Sequence, residues 1–194
     1  MKKEIIQRSI QSSIEVKQTI LNDKILVSKI EETATLMIET LRNDGKIFFC
    51  GNGGSAADAQ HLAAELSGRF YFDRPSLNSE ALHCNTSYLT AVANDYGYHH
   101  IFARLLKGCA KAGDLIIGLS TSGNSENIIY AFETAKELKI KTVAFTGSAG
   151  GKIQPFADVL INVPSTDTPR IQEAHITIGH ILCEIVEATL FDYL

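Results

Sequence analysis

The chain has 194 residues, 45% hydrophobic and 21% charged, the balance of an ordinary globular protein long enough for one sizeable core. Its 18 Lys and Arg against 22 Asp and Glu leave a formal charge of −4, which argues against nucleic-acid binding, because phosphates need a basic face. No signal-peptide core follows Met1 and no apolar run approaches the ~20 residues of a bilayer span, so the chain reads as soluble and cytoplasmic, with no membrane partner.

From Glu4 to Leu41 apolar residues recur at steps of three and four, at Ile10, Ile14, Leu21, Ile25, Ile30, Leu36, Met37 and Leu41. That spacing predicts two amphipathic helices, broken near Asn22-Asp23 and stopped at Gly45. Strand Lys46–Cys50 and helix Ala56–Leu66 follow, then strand Ala81–Cys84 and a helical region Thr86–Leu106. Strand Leu115–Leu119 leads to helix Asn127–Leu138, then to strands Thr142–Phe145 and Val159–Val163 around a short helical piece after Gly151. A long helix from about Pro169 to Phe191 ends the pattern. Strands alternating with helices imply right-handed crossovers and a parallel sheet covered on both faces. The expectation is one α/β domain over residues 1–194, a three-layer αβα sandwich around a five-stranded parallel sheet. Residues 1–44 form its N-terminal helical extension and residues 45–194 its core.

Ligands of such sheets bind beyond the carboxyl ends of the strands, so the loops there carry most weight. Gly51-Asn52-Gly53-Gly54-Ser55-Ala56 follows the first strand and opens a helix, where glycines admit a close ligand and the helix start offers free N–H groups. The spelling fits the loose dinucleotide fingerprint, but the ribose-binding acid expected after the second strand is Asn85 here. Ser120-Thr121-Ser122-Gly123-Asn124-Ser125 gathers hydroxyls at another helix start, more than capping needs, and suits a phosphate group. His61 and Glu65, four apart, share one face of a helix otherwise small and apolar, a surface that favours a raised carboxyl pKa and a general base. On the last helix lie Gln172, Glu173, His175 and His180, of which His175, like Cys183, reads as a packed residue. Cys50, Cys84, Cys109 and Cys183 form no Cys-x-x-Cys pair and stand in apolar stretches, which predicts buried, reduced thiols.

Gly51-Asn52-Gly53-Gly54-Ser55 with His61, Glu65 and Gly68-Arg69 resembles the signature of the phosphoheptose isomerases. Asn94-Asp95, the serine-rich loop, Thr146-Gly147 and Arg170-Ile171-Gln172-Glu173 with His180 extend the likeness, in order, over nearly the whole chain. The serine loop alone indicates only the wider sugar-isomerase (SIS) superfamily; Glu65 with His180 narrows it. The resemblance implies the flavodoxin-like SIS fold and an aldose–ketose isomerase converting sedoheptulose 7-phosphate to D-glycero-D-manno-heptose 7-phosphate through an enediol(ate). That is the first step of nucleotide-activated heptose biosynthesis. It implies Glu65 as the base and His180 as the acid/base for the substrate oxygens. Ser120, Thr121, Ser122 and Ser125 would hold the phosphate, and Asn52, Gly53, Gly54, Asn94 and Asp95 the sugar, with Glu65 and Gln172 also touching substrate. It implies zinc on His61, Glu65, Gln172 and His180, and a homotetramer. Pro169 stands where some family members carry an acid, and that acid's role is not transferred here.

Gln172 and His180 lie eight residues apart on one helix, a rise of roughly 12 Å, whereas metal–ligand bonds are about 2 Å. This predicts a site completed by two subunits. The alternative class is a non-catalytic adaptor of the same superfamily that binds the bacterial replication initiator. It needs neither base nor acid, so Glu65 and His180 favour the enzyme. A sugar-phosphate sensor would keep the serine loop but would carry a DNA-binding module, for which residues 1–44 do not read.

Overall fold

The computed structural model describes residues 1–191. Helix α1 (Lys2–Asn22) leads into α2 (Lys24–Arg42). They part where the pattern places the break: the Asp23 carboxylate caps α2, accepting from the amides of Ile25 and Leu26 at 3.0 Å each. Strand β1 (Ile47–Gly51) and helix α3 (Gly54–Ser67) follow, then β2 (Ser79–Ala81), α4 (Thr86–Tyr96) and α5 (Ile101–Cys109). The chain continues through β3 (Leu115–Leu119), α6 (Glu126–Glu137), β4 (Lys141–Thr146) and β5 (Val159–Asn162) to α7 (Thr168–Phe191).

The five strands make one parallel sheet in the order β2-β1-β3-β4-β5, the flavodoxin arrangement. Because side chains alternate along a strand, two cores form. Ile47, Phe49, Ile117, Leu119 and Phe145 pack against α2, α3 and α7. Phe48, Cys50, Ile116 and Ala144 face α4, α5 and α6. Thus the sheet is covered on both sides, as the alternation of elements implied. Helix α7 is long and apolar enough to span a bilayer, but one face of it is core: Ile171, Ala174, Ile178, Leu182 and Val186 are buried, while Ile181 is exposed.

Three boundaries differ from the pattern. Strand β2 is an edge strand paired only with β1, from Ile47↔Ser79 to Phe49↔Ala81, and ends before Cys84. The region Thr86–Leu106 divides at Gly97, whose φ of 92° leaves the helical range, so α4 and α5 are separated by the single 3-10 turn Tyr98–His100. The piece after Gly151 is likewise one 3-10 turn, Gln154–Phe156. The thiols need a matching correction. Cys50 and Cys183 are buried, but Cys84 and Cys109 are exposed, one in the turn past β2 and one ending α5.

Candidate active site

The sheet order reverses between β1 and β3, and the loops after these two strands meet there. Asn52 and Asn127 bridge them through paired amide bonds of 2.9 and 2.8 Å, and the Tyr98 hydroxyl donates to the Asn52 carbonyl oxygen at 3.0 Å. Tyr98, His99, Ser125 and Glu126 surround a hollow of about 290 Å³ beside them. Beyond β3, the Ser120 and Ser125 hydroxyls lie 2.9 Å apart, and Ser122 Oγ accepts from the Asn124 amide at 3.1 Å. Gly123 has a φ of 66°, and a Cβ on it would meet the Gly150 carbonyl oxygen at 1.9 Å, so only glycine closes this loop. Thr121 and Ser122 line a second hollow, of about 280 Å³, with Gly147, Ser148, Ser165 and Thr168. A hydroxyl-lined hollow between the serine loop and the start of α7 is chemically suited to a small anion.

Helix α3 leaves the glycine loop and runs back beside β1. Its last turns are level with the strand's beginning: Ser79, the partner of Ile47, donates through Oγ to the Ala63 carbonyl at 2.7 Å. Helix α7 runs alongside, so close that a Cβ on Gly179 would lie 2.6 Å from both methyl carbons of Leu62. That contact sets His180 against His61: their Nε2 atoms are 2.9 Å apart, and Glu65 Oε1 is 3.2 Å from His61 Nε2. Phe70 stacks on His180 with ring centroids 5.8 Å apart. Glu65 therefore faces an imidazole pair rather than bare apolar surface, with its side chain 22% exposed.

Residues 12–147 match the SIS domain. The chain is 55% identical to the phosphoheptose isomerase of Sulfurimonas denitrificans, over 97% of both chains. It is 56% identical to that of Aneurinibacillus thermoaerophilus, over 96% of this chain and 94% of the other. The solved phosphoheptose isomerase of Neisseria gonorrhoeae is 44% identical and superposes with a TM-score of 0.90, over 97% of this chain and all of that one. The chain belongs to the phosphoheptose isomerase family.

Among the described residues, three of the four expected metal ligands come together. His61, Glu65 and His180 offer donor atoms all within 4.8 Å of one another. Ligands bound tetrahedrally to one zinc ion lie roughly 3.3 Å apart, so the 2.9 and 3.2 Å separations fit a shared divalent cation. Two nitrogens and a carboxylate oxygen are also a chemically reasonable zinc set. Gln172 stands apart, its amide packed against Gly54 at the head of α3, where a Cβ would meet Gln172 Nε2 at 2.5 Å. Asn94 and Asp95 lie exposed on the last turn of α4, the Asn94 amide donating to Asp95 at 2.9 Å. Gly53 and Gly54 are exposed at the loop, as a ligand-facing turn requires.

Sequence reasoning missed Asp58. It sits one turn before His61 with its Oδ2 buried and without a hydrogen-bond partner. Burial pushes its carboxyl up, and the facing imidazoles of His61 and His180 draw it back down. The signal available was an acid three residues before His61 on an alanine-rich face. His175 is a core residue, as read: fully buried, 3.2 Å from the Thr146 carbonyl, and pushed down to about 4 by burial.

Proposed function

We propose that the chain interconverts sedoheptulose 7-phosphate and D-glycero-D-manno-heptose 7-phosphate, opening the synthesis of nucleotide-activated heptoses. The observation that carries the reading is the convergence of a carboxylate with two imidazoles, His61, Glu65 and His180, in a chain of this family. In the reaction Glu65 takes the proton from one carbon of the C1–C2 pair and returns it to the other. His180 exchanges the proton of the adjacent substrate oxygen, so the carbonyl and hydroxyl trade places. Ser120, Thr121, Ser122 and Ser125 hold the phosphate through hydroxyls and helix-start amides, which serves an anionic substrate in an acidic protein. Asn52, Gly53, Gly54, Asn94 and Asp95 hold the sugar hydroxyls, with Gln172 beside them. His61, Glu65 and His180 would hold a zinc ion, with Gln172 of a neighbouring copy as the fourth ligand, and the bound ion would polarise the sugar carbonyl as a Lewis acid. A carboxylate has two oxygens, so Glu65 can ligate and still act as base.

The same geometry supports an assembly. Glu65 lies eleven residues along α3 from Gly54, a distance of roughly 16 Å, while an open-chain heptose phosphate spans roughly 9 Å from C2 to phosphorus. This spacing supports a substrate that is held by one copy's serine loop and reaches the acid and base of a neighbouring copy. Surfaces suited to such a neighbour are present: Ile5, Ile6, Ile10 and Ile14 of α1 are exposed, and an apolar hollow of about 460 Å³ lies between α1, α2 and α7. We place the active sites between subunits of a homotetramer. Sugar phosphates are cytoplasmic metabolites, which supports a cytoplasmic location for the chain.

The test is turnover of sedoheptulose 7-phosphate by purified protein. Glu65→Gln is expected to lower kcat by at least about a hundredfold with the fold intact. Normal turnover by that variant removes the mechanism. Dialysis against a chelator then shows whether metal is required.

A further inference from the structure

Beneath the acid/base cluster lies a buried ion pair that none of these roles uses. Arg74 and Glu187 have side chains 1% exposed, with Arg74 Nε donating to Glu187 Oε1 at 2.8 Å. Each partner also holds backbone. Arg74 Nη2 donates to the carbonyl of Glu65 itself at 2.8 Å, and Nη1 to those of Leu66 at 2.8, Gly68 at 3.2 and Pro75 at 3.0 Å. These are the last carbonyls of α3 and the loop beyond it, which have no helical partner and carry the negative end of the helix dipole. From the other side the Glu187 carboxylate accepts from the amides of Phe70 at 3.1 and Tyr71 at 2.8 Å. Phe70 is the ring stacked on His180, and Glu187 lies two turns beyond His180 on α7.

We propose that Arg74 and Glu187 are positioning residues for the isomerisation. Together they lock the end of α3 that carries Glu65, and the Phe70 ring, onto the stretch of α7 that carries His180. The pair touches no reacting atom; it fixes the separation of base and acid. Stability alone does not call for it, because apolar residues of equal volume often replace a buried ion pair without loss. Displacements of about 1 Å between reacting groups, by contrast, cost roughly a hundredfold in rate. The proposal rests on the roles given above to Glu65 and His180.

Three variants of the full chain test it. Glu187→Gln keeps the volume but removes the charge facing Arg74, Arg74→Lys keeps the charge but loses the fork, and Phe70→Leu leaves the ion pair intact. Each is assayed at a temperature where circular dichroism shows it folded. The expected result is kcat lowered roughly 10- to 100-fold, with KM for sedoheptulose 7-phosphate changed by less than about threefold because the phosphate loop lies at the other end of the sheet. Proton NMR of His180 gives a second readout, since its ring signals lose the shift imposed by the stacked Phe70. A folded Glu187→Gln or Arg74→Lys variant with kcat within about twofold of the parent overturns the proposal. If neither folds, the paired apolar exchange Arg74→Met with Glu187→Leu, which leaves no buried charge unpaired, decides it in the same way. If the parent protein itself does not turn over the heptulose phosphate, the acid/base reading has failed instead. The His180 signals then decide: unchanged shifts in Glu187→Gln overturn the positioning role, and altered shifts support it.

Discussion

His61 and His180 can share at most one proton along their 2.9 Å contact, and Glu65 adds an acceptor 3.2 Å away, so the cluster is an assembly of electron-pair donors. It departs from the picture of a lone carboxylate on an apolar helix because α7 arrives from more than a hundred positions downstream. His175, on the same helix, behaves oppositely. It is buried and neutral, with its pKa pushed down to about 4 by desolvation. The unfolded chain binds a proton there at pH values where the folded one does not, so stability falls as pH drops below the ordinary histidine value toward 4. At pH 5 this single group costs about 2 kcal/mol. The expected outcome is that His175→Leu flattens the pH dependence of Tm between pH 7 and pH 5 relative to the parent; an unchanged slope assigns acid sensitivity elsewhere.

At the scale of elements, the α3–α7 contact decides whether the cluster exists. Gly179 lets α7 approach until Leu62 occupies the space a side chain would fill. Gly179→Val is expected to cost about 1–3 kcal/mol in denaturant unfolding and to weaken the zinc binding proposed for the cluster, measured by competition with a chelator. Undiminished uptake would detach the metal site from this packing. Much of the element plan was legible in the sequence. The break at Asp23, strand β1 with its glycine loop, and the long α7 all carry local signals of capping, alternation or period. The bounds of strand β2, read as Ala81–Cys84, and the division at Gly97 were not legible, because a three-residue edge strand and a single 3-10 turn leave too short a pattern. His61, Glu65 and His180 were readable as motif residues. The Arg74–Glu187 pair was not, since it joins side chains 113 positions apart and neither spacing nor composition announces it.

At the scale of the whole molecule, one feature governs the rest. The serine loop lies at the carboxyl end of the sheet, and Glu65 lies roughly 16 Å down α3 toward the other end. A chain damaged in one half therefore still offers the other half intact. Glu65→Gln removes the proposed base, and Ser122→Asp places a negative charge at the proposed phosphate site; each pure protein is expected to be inactive. Refolded together in equal amounts, the two should recover about a quarter of the parent activity, because random pairing unites an intact base with an intact loop in that share of sites. No recovery would mean that each copy works alone. At the level of heredity, two null alleles of one gene then complement each other, and an allele damaged in both halves silences more sites than the chains it encodes.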